Sequence, residues 1–258
     1  MPCVSSLEAL HHAVAGFGAA DLNLVIEPPA LAAARRSLDE SGLLLLGEVH
    51  GVRENPLIIR ALMQAFGLAS LALEWPDDLA PVIAAFLAGG TLTDHPMLWF
   101  GDGRITAGHL AVLRERSAGG PLDLTLFDGI IGVGRDWSQR DEAMAGRILA
   151  AAPAANGTLV VAGNAHTPTS PTPLGVPLGA CLARRRPAVQ EIRIQYGGGH
   201  YYNLEPGRFR RRTGRPGGHP LLHQQDGMLL LDVPRATEAI VPQQPQPQPS
   251  LAPGRTTR

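Results

Sequence analysis

Four short apolar runs, Leu43–Leu46, Ser70–Leu73, Asp123–Phe127 and Leu159–Ala162, are separated by stretches with helical periodicity. Apolar runs this short, bounded by turn residues, read as buried strands. Strands that alternate with helices form a parallel sheet with helices on its faces. The expected fold is therefore α/β, with a central, mostly parallel sheet flanked by helices. Two later runs, Val189–Gln195 and Met228–Val233, read as additional, antiparallel C-terminal strands, because the segment between them has no clear helical pattern.

Helix boundaries are marked as well. After the first run, Asn55 is placed to cap a helix and Pro56 to occupy its first position, and Leu57, Ile58, Ala61, Leu62 and Ala65 then recur at helical spacing. A second helix is expected to open at Asp136, with Gln139 completing a capping box. Its Trp137, Met144 and Ile148 share one face, and Arg140, Asp141 and Glu142 form a charged shoulder. The stretch from Gly89 to Gly103 reads as a loop over one end of the sheet. Residues 1–241 form one α/β domain. Residues 242–258, PQQPQPQPSLAPGRTTR, cannot bury enough surface to offset their ordering entropy and read as a disordered tail.

The polar residues that close each apolar run carry the functional signal. The first run leads into Gly47-Glu48-Val49-His50, the second into Glu74, the third into Asp128, and the fourth into Gly163-Asn164-Ala165-His166. In a parallel sheet the carboxyl ends of all strands lie on one edge, where ligands bind. Four strands thus deliver Glu48, His50, Glu74, Asp128, Asn164 and His166 to one place. The glycines are expected to let the backbone turn tightly before each histidine. Arg53, Arg135 and Arg140 are candidates to neutralise the carboxylates or to hold an anionic group of a ligand, and Asp128, Arg135 and Asn164 complete the set as binding residues.

Composition narrows the chemistry. All 22 basic residues are arginine, which excludes a Schiff-base lysine and a Walker-type phosphate loop. A net charge of -1 argues against a nucleic-acid partner, and the run Arg208, Arg210, Arg211, Arg212 and Arg215 around Phe209 reads as a solvated loop. Arg184, Arg185 and Arg186 read as a helix end, where cations suit the dipole. Cys3 and Cys181 are too few for a disulfide framework or a thiolate cluster. No run approaches the roughly 18 apolar residues of a membrane helix. His11 and His12 stand where a signal peptide carries its apolar core. The expectation is a cytoplasmic protein with a small-molecule substrate and neither a nucleic-acid nor a membrane partner.

Two chemistries are open to these residues. His50 can take a proton from water while Glu48 or Glu74 orients its ring, and crowding among Glu48, Glu74 and Asp128 would raise a carboxyl pKa to give an acid for the leaving group. Alternatively, a divalent cation held by two histidines and a carboxylate would lower the pKa of a bound water. Tyr196, Tyr201 and Tyr202 around Gly197-Gly198-Gly199-His200 read as an aromatic hairpin bracketing a glycine turn, with haem ligation as the functional alternative.

Gly47-Glu48-Val49-His50, then Glu74, then Gly163-Asn164-Ala165-His166 resembles the pattern shared by erythromycin esterases, ChaN-like haem-binding proteins and TIKI/TraB proteins. Glu54-Asn55-Pro56 resembles the ChaN-like group, and Arg140-Asp141-Glu142-Ala143-Met144-Ala145 resembles both that group and the esterases. One residue fewer separates Glu48 from His50 than in the esterase pattern, which draws the resemblance nearest the ChaN-like group. The resemblance implies an active cleft at the strand ends. Its esterase branch implies hydrolysis of an ester by His50 and Glu74, supported by Glu48 and His166. Its TIKI branch implies a divalent metal on His50, Glu74 and His166. Its ChaN-like branch implies a haem- or iron-binding protein without hydrolytic activity, with haem at a homodimer interface.

Overall fold

The buried apolar runs assemble into an eight-stranded sheet. The computed structural model describes residues 3–18, 20–129, 136–151, 157–210 and 218–244. The first half of the chain contains β1 (Cys3–Val4), α1 (Leu7–Ala15), β2 (Val25–Ile26), α2 (Pro28–Ser41), β3 (Leu43–Glu48), α3 (Glu54–Phe66), β4 (Ser70–Pro76), α4 (Ala80–Leu87), α5 (Ala107–Ala118) and β5 (Asp123–Asp128). The second half adds α6 (Trp137–Ala150), β6 (Thr158–Gly163), α7 (Leu178–Arg185), β7 (Gln190–Tyr196), β8 (Gly199–Asn203), β9 (Glu205–Phe209), β10 (Leu221–Gln225), β11 (Met228–Val233) and β12 (Val241–Pro242). The sheet order is β2-β10-β11-β7-β3-β6-β4-β5.

Pairing is parallel throughout except between β10 and β11. The expected antiparallel component is therefore present, but its position is corrected. Val189–Gln195 and Met228–Val233 correspond to β7, which runs one residue later, and to β11, and the two strands pair parallel to each other. The antiparallel partner of β11 is β10. The long connection between β7 and β11 carries the β8–β9 hairpin and β10 in place of a crossover helix, and so returns the chain in the same direction.

Alternation along β3 divides the core. Leu44 and Leu46 join Ile58, Leu62, Leu71, Leu73, Leu110 and Ile192 on one face of the sheet, against α2, α3 and α5. Leu43 and Leu45 join Phe127, Met144, Ile148, Val160 and Leu182 on the other, against α6 and α7. Each such side chain, fully buried, contributes roughly 1.5–3 kcal/mol. Among the described residues, no helix is long and apolar enough to cross a membrane.

Local expectations fare unevenly. Asp136 caps α6, accepting the Gln139 N–H at 2.8 Å, and Arg184 and Arg185 lie in the last turn of α7. Asn55 is not a cap but a fully buried residue inside α3. Its Nδ2 donates to the Val49 carbonyl at 2.8 Å, and its Oδ1 accepts the buried Tyr196 hydroxyl. This bond ties the end of β7 to the loop after β3. Tyr196→Phe leaves a buried amide oxygen unsatisfied and is expected to cost about 1–3 kcal/mol. Urea denaturation with an unchanged midpoint would exclude that role.

The glycine turn after Tyr196 is also corrected. The hairpin pairs β8 with β9 and turns at Leu204, which has φ 59°. Gly199 serves close approach: a Cβ there would lie 2.0 Å from the Ala236 carbonyl oxygen. Three residues assigned to the tail are bound. Pro242 pairs with Val4 in the β1–β12 ladder, the Gln243 N–H donates to the Val4 carbonyl, and the Gln244 N–H donates to that of Trp99. Residues 245–258 lie outside the described residues, as do Arg211, Arg212 and Arg215 of the basic run.

Candidate functional site

The ladder between β3 and β6 sets Glu48 beside Gly163, so both Gly-x-x-His motifs leave the sheet from adjacent strands. Gly47 and Gly163 do not turn the chain; both remain in their strands and make room. A Cβ on Gly47 would lie 2.4 Å from Thr167 Oγ1, and one on Gly163 would lie 3.1 Å from His50 Nε2 and 3.5 Å from Glu74 Oε2. Gly163 is therefore the floor on which His50 and Glu74 meet.

His50 and Glu48 form one pair, with Nδ1 at 3.2 Å from Oε1. Glu48 is buried and His50 is only 14% exposed. Burial pushes the His50 pKa down, but the hydrogen bond to Glu48 and the charges of Glu74, Glu48 and Asp102 outweigh it and raise the ring above 6.5. Burial pushes Glu48 up, and the nearby ring of His109 together with the hydrogen bond from His50 reverses that and holds it below the usual 4.5.

Glu74 lies at the centre. It was expected just past its strand but is part of β4. Its Oε2 accepts the Gly163 N–H at 2.7 Å, and its Oε1 accepts Arg140 Nη2 at 3.0 Å with His166 Nε2 at 3.5 Å. Burial opposes its ionisation, yet His166, His50, Arg104 and the Gly163 amide hold its pKa at about 2. The expectation that crowded carboxylates would yield an acid is thus corrected at Glu74 and Glu48, because cations and donors outweigh the repulsion.

A second pair mirrors the first. His166 Nδ1 lies 2.8 Å from Asp141 Oδ1, and the Leu178 N–H donates to Asp141 Oδ2 at 2.7 Å. The indole of Trp137 stacks on the imidazole at 4.2 Å. Asp141 is fully buried, not part of a charged shoulder. Arg140, one residue earlier, bridges Asp128 and Glu74 and brings Nη1 within 3.4 Å of His166 Nε2. Asp128 also binds Arg104, which in turn pairs with Asp102 and donates to the Glu74 carbonyl at 3.3 Å.

The structure thus brings Glu48, His50, Glu74, Asp128 and His166 together. Asn164 contributes its N–H, which donates to the Glu48 carbonyl at 2.8 Å, while the residue itself is exposed. Arg53 lies apart, with its guanidinium over the Phe17 ring. Arg135 lies outside the described residues. Sequence reasoning missed Asp102, Arg104, His109 and the buried role of Asp141. Thr106, three residues before His109, was a legible signal for one of them, since its side chain caps α5.

The loop carrying His50 is clamped from three sides. Gly51, at φ 68°, donates its N–H to the Gly103 carbonyl at 2.9 Å, while its own carbonyl accepts the N–H groups of Tyr202 at 3.2 Å and Ala239 at 3.0 Å. A Cβ on Gly51 would lie 1.7 Å from the Tyr202 carbonyl oxygen, so only glycine fits this crossing.

A metal does not fit the set His50, Glu74 and His166. The Arg140 guanidinium already occupies the space between Glu74 and His166, where a cation would be bound. Among the described residues, no group of three or more His, Cys, Asp or Glu is placed to hold a metal ion. Haem ligation by Tyr196 or Tyr202 fits no better. Burial and the charges of Glu48 and Glu54 push the Tyr196 phenol well above 10, and the Tyr202 hydroxyl donates to Gln243 Oε1 at 2.7 Å. A pocket of about 420 Å³ lined by His11, Phe17, Phe86 and Arg114 contains none of the clustered residues.

No protein-family profile and no curated protein sequence matches the chain. Solved structures share its fold. It is similar to a protein from Bacillus cereus, with a TM-score of 0.55 and 12% identity over 93% of this chain and 94% of that one. It is also similar to a succinoglycan biosynthesis protein, with a TM-score of 0.58 and 10% identity over 92% of this chain and 100% of that one. At these identities the likeness shows a common α/β fold.

Proposed function

We propose that this chain is a hydrolase in which His50 activates water against an ester or a related bond of a small-molecule substrate. The observation that carries the reading is the Glu48–His50 pair, whose Nε2 faces Gly163 and Glu74 at the carboxyl edge of the sheet. A carboxylate on Nδ1 fixes the proton there and leaves Nε2 bare, as a general base requires. The resemblance to erythromycin esterases supplies the bond class.

The remaining groups divide the work. His50 Nε2 takes a proton from water as the water oxygen attacks the carbonyl carbon. Arg140, partly exposed beside His166, offers N–H groups to the oxyanion that forms. The proton taken up by His50 Nε2 then passes to the departing oxygen, while His166, oriented by Asp141, faces Arg140 Nη1 through its bare Nε2 and helps to hold that guanidinium. Glu74 remains ionised throughout and holds Arg140 and the Gly163 amide in place.

The test is the hydrolysis of a panel of alkyl and aryl esters by the full chain across pH 5 to 9. His50 must be neutral to act as base, and its pKa is raised. Activity is therefore absent at low pH, climbs as the ring loses its proton, and reaches half its plateau above pH 6.5. A folded protein that cleaves no ester at any pH, or one whose activity falls as pH rises through this range, would remove the reading.

A further inference from the structure

His109 is buried, faces the site and has no task in the mechanism above. It stands in the first turn of α5, where Thr106 Oγ1 accepts its backbone N–H at 3.2 Å and lies 2.9 Å from its Nδ1. A hydroxyl that already accepts the amide has its own proton to give, and Nδ1 is in reach. The ring is then the Nε2–H tautomer. Trp75 meets it edge-on at 6.0 Å and is itself held by a bond from Nε1 to the Arg104 carbonyl at 3.0 Å.

That Nε2–H faces Glu48 Oε2 at 3.8 Å. Oε2 is a buried carboxylate oxygen with no hydrogen-bond partner. A separation of 3.8 Å exceeds a hydrogen bond, so the contact is electrostatic: an anion and an N–H dipole in surroundings of low dielectric. The other oxygen of the same carboxylate holds His50 Nδ1. Thr106, His109, Glu48 and His50 therefore form a chain from the start of α5 to the candidate base.

We infer that His109 is a positioning residue that holds Glu48 by Oε2, so that Oε1 keeps His50 in its Nδ1–H tautomer with Nε2 bare. The consequence for turnover rests on the hydrolase reading; the tautomer of His50 does not. A buried histidine that merely caps its helix would leave His50 unaffected.

Two variants separate these roles. Gln places an N–H near the position of Nε2, whereas Leu fills similar space without a donor. The ring nitrogens of His50 are followed by nitrogen NMR in the full chain, its signals being those that vanish in His50→Asn. Wild type and His109→Gln are expected to show protonated Nδ1 and bare Nε2 on His50, and His109→Leu a mixture of both tautomers. Where an ester is turned over, His109→Leu lowers kcat by about 10- to 100-fold with KM within about threefold, the scale of a mispositioned reacting group, and His109→Gln recovers most of the loss. Identical His50 spectra in His109→Leu and wild type would overturn the inference, whatever the kinetics. An altered tautomer in a protein that hydrolyses nothing would uphold it and count against the hydrolase reading instead.

Discussion

His50→Asn is expected to lower kcat/KM for ester hydrolysis by about 100- to 10,000-fold, the usual contribution of a positioned general base. Asparagine is the informative replacement because its amide nitrogen takes the place of Nδ1 and can still donate to Glu48 Oε1, which otherwise would be left buried and unpaired. The variant thus removes Nε2 while keeping the network behind it. Its thermal midpoint should stay close to that of the wild type, since His50 is partly exposed. Steady-state kinetics beside a thermal melt checks both halves. Retention of more than about a tenth of the activity would exclude His50 as the base.

Asp128→Ala should unfold the site itself. The carboxylate is 1% exposed and accepts from Arg104 and twice from Arg140. Removing it takes away the carboxylate that Arg104 and Arg140 share and leaves only Asp102 and Glu74 to pair with them, and truncating one side of a buried ion pair costs about 3–5 kcal/mol. For a chain of this size that is a fall in Tm of roughly 6–20 °C. Asp128→Asn keeps oxygen and shape and should lose less. Circular dichroism melts of both variants give the comparison. An alanine variant that melts within about 2 °C of wild type would mean that Glu74 and Asp102 alone neutralise the arginines.

The strand ends were legible because the two signals that define them, apolar run and polar stop, are local. Leu43, Ser70 and Asp123 open their strands where the sequence places them, and the candidate positions Glu48, Glu74 and Asp128 converge. What was not legible depended on partners distant in the chain. Asp141 follows Arg140 on a helix and reads as surface charge; its burial makes sense only once His166 and the Leu178 amide satisfy it. Asn55 has the composition of a cap, and only Tyr196, 141 positions later, explains why it is inside the helix. Arg104 and His109 lack any strand-end signal, because they reach the site from the loop before α5 and from its first turn. The pairing of Val189–Gln195 with Met228–Val233 could not be read from periodicity, since strand direction is set by the topology of the connection.

The crossing at Gly51 carries a consequence for the order of events during synthesis. The residues it joins are dispersed along the chain: Gly103, Tyr202 and Ala239 all contact one residue that leaves the ribosome long before the last of them. Contacts between distant residues form late, because each must first close a long loop. The segment with His50 therefore emerges early but acquires its geometry only when nearly the whole domain has been made. A nascent chain, or a fragment ending before Ala239, would carry both Gly-x-x-His motifs and still lack one of the three contacts that clamp the His50 loop. The backbone that carries the candidate site is thus held in part by residues as late in the sequence as Ala239.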